Sequence, residues 1–104
     1  MLHVLATIAI EPGRRADFLT HFHWVVPFVR AEDGCLEYTP TVDAVTPFAA
    51  QPAVRPNTVT VVEKWESLAA LQAHMATRHM AEYRERVTGL VTGVTLHVTE
   101  PVEQ

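Results

Sequence analysis

Residues Leu2 to Ile10 are apolar or β-branched almost without interruption, and Glu11-Pro12-Gly13 follows them. That pattern predicts a strand closed by a turn. One face reads Leu2, Val4, Ala6, Ile8, Ile10 and the other His3, Leu5, Thr7, Ala9. A strand with one side in water should alternate more sharply, so this one reads as covered on both faces. From Arg14 to Arg30 the period changes. Leu19, Phe22, Val26 and Val29 recur at steps of three and four, which predicts a helix. Trp24 and Phe28 form a second ridge on it, and Pro27, which removes a backbone donor, predicts a kink. Asp33-Gly34 ends the segment.

Cys35 to Val42 reads as a second strand, with Leu36 and Tyr38 on one face by parity and Pro40 marking an edge or an early end. Residues 43–57, "DAVTPFAAQPAVRPN", hold three prolines and little periodicity, the pattern of a long loop. Thr58 to Trp65 alternates again. Val59, Val61, Glu63 and Trp65 share one face, and Thr58, Thr60, Val62 and Lys64 the other. Ser67 is suited to cap a helix starting at Leu68. The helical pattern breaks near Thr77 and resumes with Met80, Tyr83, Val87 and Leu90 on one side. Gly89 or Gly93 stops it, and Val94 to Thr99 is the last strand. The order β-α-β-β-α-β predicts an α+β, ferredoxin-like fold: a four-stranded antiparallel sheet with helices on one face. The uncovered face calls for a partner, and in so small a chain a second copy of the same sheet is the simplest one.

Composition narrows the function classes. The chain of 104 residues is 48% hydrophobic and 19% charged, which is globular, and is read as a single domain over 1–104 with its core in 2–99. Its net charge is −4, and its eight Lys and Arg form no run, which argues against a nucleic-acid surface. No stretch approaches the roughly 20 apolar residues of a membrane helix. The N-terminus lacks the basic region and cleavage site of a signal peptide. Cys35 is the only cysteine, so no internal disulfide forms; a cytoplasmic location is expected.

Several local signals stand in a fixed order: the Pro12-Gly13 turn, "EDGCLEY" leading into the second strand, "VVEKWESLAALQAH" at the strand-to-helix junction, and "HMATRHMAEY". Together they resemble the antibiotic biosynthesis monooxygenase family, the dimeric α+β barrels that include small quinol monooxygenases. The resemblance covers roughly residues 2–99. It implies a homodimer with two sheets packed face to face and a cavity in each subunit between sheet and helices. It also implies oxidation of a small quinol or polyphenol by O₂, with no metal and no cofactor. Haem-degrading relatives carry an Asn in the first strand where this chain has Ala6, which argues against haem.

The candidate residues follow from position. Trp65 and Glu63 share a strand face. Trp65 is either core or a flat wall with an N–H to donate, and the resemblance sets it at the cavity. Burial among Val61, Val62 and Trp65 raises Glu63 toward a usable base; its structural alternative is an ion pair with Arg84 or Arg86. His74 and His79 are candidate bases. On an unbroken helix they diverge by about 140°, but a break at Thr77 brings them together. They lack the spacing and third partner of a zinc site. Tyr38, Tyr83 and Arg78 are candidate substrate contacts. His3, His21, His23 and His97 read as structural or exposed, and Cys35 as a small buried hydrophobe. Trp65, His74 and His79 are thus expected to border one cavity with Glu63 near its floor. Two other readings fit the same residues: an isomerase of a small carbonyl metabolite, and a dimeric small-molecule binding protein without turnover.

Overall fold

A computed structural model describes residues 1–103. The elements are β1 (Leu2–Ile10), α1 (Arg15–Arg30), β2 (Cys35–Thr41), β3 (Thr58–Trp65), α2 (Leu68–Met75), α3 (Arg78–Arg86) and β4 (Val91–Thr99). The strands form one antiparallel sheet in the order β2-β3-β1-β4. This is the ferredoxin-like arrangement, with its second helix in two pieces.

The core fills the helix side of the sheet. Val4, Ala6, Ile8 and Ile10 of β1 and Val59, Val61, Glu63 and Trp65 of β3 are buried there. Facing them, α1 buries Phe18, Phe22, Val25, Val26 and Val29. The stripe is turned slightly from the expected one: Leu19 is only partly buried, and Phe18 and Val25 take the centre. The helix runs through Pro27 to Arg30. The other side of the sheet carries His3, Leu5, Thr7 and Ala9 beside Thr58, Thr60, Val62 and Lys64, none of which is buried. His97 stands on that side opposite Leu5, and His3 opposite Thr99.

β4 is exposed along nearly its whole length. Val94, Leu96 and Val98 pair with Ile8, Ala6 and Val4 on the helix side, yet remain 59%, 44% and 46% exposed, because no helix reaches over them. The strand begins at Val91, three residues before the predicted start. Gly89, at φ +85°, adopts the left-handed conformation that ends the preceding turn, which leaves Gly93 inside the strand.

Two local features correct the parity and burial expected of β2. Cys35 pairs with Trp65 but Glu37 pairs with Lys64, so Leu36 is an extra residue in the ladder. This bulge turns Leu36 outward (52% exposed), while Tyr38 enters the core at 3%. Cys35 is half-buried rather than buried. Gly34, just before the bulge, has φ +82°, and a Cβ there would lie 2.6 Å from Ala70 Cβ. Only glycine lets the start of β2 come this close to α2.

The break at Thr77 has a defined chemistry. Thr77 Oγ1 donates to the His74 carbonyl at 2.9 Å and accepts the Met80 N–H at 3.4 Å. It closes α2 and opens α3 with one hydroxyl. Ser67 caps α2 by accepting the Ala70 N–H at 3.1 Å. The 43–57 segment has no helix or strand, but its ends are tied: Arg55 grips the Asp43 carboxylate with two side-chain N–H groups, each at 2.9 Å.

Candidate functional site

A cavity of about 560 Å³ lies between the helix side of the sheet and α2–α3, and opens beside β4. Its walls are mostly apolar: Ala6, Ile8, Phe22, Val61, Met80, Val87 and Leu96. Glu63, His74, Tyr38, Tyr83 and Arg84 supply the ionisable groups. A few polar groups set in an apolar hollow of this size are typical of a small-molecule site.

The inward face of β3 delivers Glu63. It is 5% exposed, and its Oε1 accepts the Trp65 indole N–H at 2.9 Å. Burial holds the carboxyl up at about 7, against the pull of that hydrogen bond. The ion pair with Arg84 or Arg86 is not formed. Arg84 instead donates to the Met75 carbonyl at 2.8 Å, and Arg86 lies over the Trp24 ring at 3.7 Å. Trp65 is fully buried and does not reach the cavity surface. It stands behind the wall, with its ring 4.6 Å from the His74 ring, and fixes both Glu63 and His74.

The last turn of α2 delivers His74, 2% exposed. Its Nδ1 lies 3.0 and 3.2 Å from the two oxygens of Glu32. With Nδ1 donating to those oxygens, Nε2 carries the lone pair. Burial pushes the His74 pKa below its ordinary value, with Glu32 opposing. No buried side-chain nitrogen or oxygen among the described residues lacks a partner. His74 Nε2 and the hydroxyls of Tyr38 and Tyr83 make no hydrogen bond among the described residues, and all three residues line the cavity. Burial raises both phenols, and the Arg84 charge pulls Tyr83 the other way. Tyr38 stacks on Phe22 at 5.5 Å, and Tyr83 meets Phe22 edge-on at 5.7 Å.

His79 and Arg78 lie elsewhere. The break at Thr77 turns the start of α3 so that both residues line a separate hollow with Trp24, Phe28, Glu82 and Glu85. His79 stacks on Phe28 at 5.8 Å, and its Nε2 is 2.6 Å from Glu32 Oε2. The two histidines therefore meet through one carboxylate, from opposite sides. The single cavity bordered by Trp65, His74 and His79 is replaced by a cavity with Glu63 and His74 in its wall, Trp65 behind it, and His79 beyond Glu32. Sequence reasoning did not place Glu32 or Arg84 there. Glu32 had no periodic signal, since it sits past the end of α1; the only hint was Gly34, whose close approach to α2 brings it under His74. Among the described residues no three His, Cys, Asp or Glu side chains cluster as a metal site requires.

Residues 1–86 match the family model described as antibiotic biosynthesis monooxygenase. The probable quinol monooxygenase YgiN of Escherichia coli K12 is 38% identical over 103 residues, covering 97% of this chain and 98% of the relative. Among solved structures, Rv0793 from Mycobacterium tuberculosis aligns with a TM-score of 0.79 at 25% identity, over 99% of this chain and 96% of its own. A crystal structure of an antibiotic biosynthesis monooxygenase aligns with a TM-score of 0.80 at 26% identity, over 99% and 100% of the two chains.

Proposed function

The chain belongs to the antibiotic biosynthesis monooxygenase family, and on that footing we propose that it is a cofactor-independent monooxygenase that oxidises a small quinol or polyphenol with O₂, working as a homodimer. The observation that carries this reading is His74: its Nδ1 is held by Glu32 and its Nε2 lone pair is presented to an apolar cavity. The homology to a probable quinol monooxygenase over nearly the whole chain supports it.

The chemistry asks for little more than this site holds. O₂ takes an electron readily from a phenolate and poorly from a phenol, whose pKa is about 10. His74 Nε2 accepts the phenolic proton. Arg84, whose charge already pulls down the phenol of Tyr83, favours the phenolate that remains. The Tyr38 and Tyr83 hydroxyls donate to its oxygens, and the apolar wall admits O₂ and excludes water. One electron passes from the phenolate to O₂, and the two radicals combine at a free ring carbon as a peroxide. Loss of water then leaves a carbonyl. A quinol with one free ring position thus becomes a hydroxyquinone, with one oxygen atom in the product and one in water. Neither metal nor flavin is part of this reading.

Oxygen uptake with a panel of substituted 1,4-hydroquinones tests it. Uptake that needs the protein and falls about 10²-fold or more in His74→Ala, the range expected for a general base, is the expected result. No uptake above the spontaneous rate with any of the panel overturns it. A second reading, an isomerase of a small carbonyl metabolite, is favoured by one observation: Glu63, held at about 7, faces the same cavity as His74. A carboxyl near neutrality beside an imidazole suits a proton shuttle between adjacent carbons. Exchange of carbonyl-adjacent hydrogens with D₂O, without oxygen uptake, distinguishes it.

A further inference from the structure

We propose that Glu32 and His79 form a proton outlet that carries the substrate's proton from His74, through the wall of the cavity, to the hollow between α1 and α3. The inference rests on the reading of His74 as the base and extends that site to a second surface.

The geometry is a continuous chain. His74 Nε2 faces the cavity, its Nδ1 is 3.0 Å from Glu32 Oε2, and that same oxygen is 2.6 Å from His79 Nε2. Exposure rises along it: 2% for the His74 side chain, 11% for Glu32, 21% for His79. His79 ends in the second hollow, among Trp24, Phe28, Arg78 and Glu82. The 2.6 Å contact requires a proton between carboxylate and imidazole, since two lone pairs would repel at that distance. The chain is thus fully bonded and has one open acceptor, at the cavity end.

The outlet answers a need that the cavity creates. An aromatic substrate filling an apolar cavity removes the water that would otherwise take the proton from His74. The imidazole also cannot keep it. A phenol near 10 and an imidazole held below its ordinary 6.5 are unequal by more than about a thousandfold against transfer. Moving the proton on draws the phenolate forward. The charged groups facing the relay are Arg84 of α3 beside His74 and Arg30 on the Cys35 side, and the titratable Glu63 lies near Glu32. Arg78 opens onto the hollow at the far end.

The step balances. In the form of His79 that bears hydrogen on Nδ1, a proton is shared between its Nε2 and Glu32. The substrate's proton enters at His74 Nε2, and the Nδ1 proton of His74 moves to Glu32. The shared proton settles on His79, and the Nδ1 proton of His79 leaves to water. One proton enters, one leaves, and no bond other than N–H and O–H changes. Glu32 and His79 never touch substrate and act through His74.

The test compares His74→Ala, His79→Gln, His79→Ala and Glu32→Gln in steady-state oxidation of the same hydroquinone panel. His79→Gln keeps an N–H for Glu32, so it preserves a purely structural contact but cannot relay. It is expected to lower kcat roughly tenfold, below the effect of the base itself, with KM unchanged. His79→Ala is expected to regain rate as imidazole is added to the buffer, and His74→Ala to lose activity. Full kcat in His79→Gln, or no recovery of His79→Ala with imidazole, overturns the outlet while His74 remains the base. Full activity in His74→Ala, or no oxidation by the wild type, overturns the reading beneath it.

Discussion

Glu63 and His74 stand in one wall, and burial drives each toward its neutral form: the carboxyl up to about 7, the imidazole below its ordinary value. The consequences for stability have opposite signs. Between the unfolded carboxylate value of 4.5 and about 7, the folded chain holds a proton on Glu63 that the unfolded chain has released. Stability from this group is full below 4.5 and falls as pH rises through 7. For His74 the unfolded chain binds the extra proton, so stability is full above about 6.5 and falls as pH drops below it toward the lowered folded value. Glu63→Gln keeps an acceptor for the Trp65 N–H and removes the first effect. The variant is expected to be more stable than wild type at pH 8, by at most roughly 3 kcal/mol, and little different at pH 4.5. Urea melts at the two pH values measure this; equal differences at both contradict the buried, proton-holding carboxyl. The sequence exposed Glu63 directly, because strand parity sets it beside Trp65. It did not expose Glu32, since nothing local in "EDGC" tells whether an acid past a helix end faces water or a histidine 42 residues away.

At the scale of elements, residue type and period carried most of the information. Strands β1 and β3 and the Ser67 and Thr77 caps follow from local chemistry, and the bounds of β3 are those expected. The misreadings share a cause: each needed a partner strand or helix. The bulge at Leu36 exists because β2 must match β3 while Gly34 passes under α2. The histidines could be brought together by a break at Thr77, but the direction of the turn, away from the cavity for His79, depends on how α3 packs on α1. Gly34 ties these together, as it sits two residues after Glu32 and against Ala70. In Gly34→Ala the added methyl meets Ala70 Cβ at 2.6 Å in a left-handed backbone. The expected cost is about 1–3 kcal/mol, together with a weaker Glu32–His74 contact. A lowered urea midpoint, with a shift in the His74 ring signals by NMR, checks it; an unchanged midpoint contradicts the close approach.

As a whole molecule the chain is broad and thin, 40 × 34 × 19 Å, with a radius of gyration of 14.4 Å. About 13 Å is usual for a compact chain of this length. One layer is missing: the open side of the sheet carries Leu5 and Val62 among threonines, and Val94, Leu96 and Val98 overhang uncovered. A second copy packed on the side of Leu5 and Val62, burying on the order of 2,000 Å², would supply that layer. The expected mass by light scattering at micromolar concentration is twice the 11.6 kDa of one chain; a stable monomer contradicts the pairing. No described helix is long and apolar enough to cross a membrane.

Isotope labelling tests the central claim most directly. The purified protein is given ¹⁸O₂ and a hydroquinone with one free ring position, and the product is weighed by mass spectrometry against a protein-free control. The account predicts a hydroxyquinone carrying one ¹⁸O atom, formed in proportion to the oxygen consumed and lost in His74→Ala. A product without label, or the same labelled product at the same rate without protein, would contradict it.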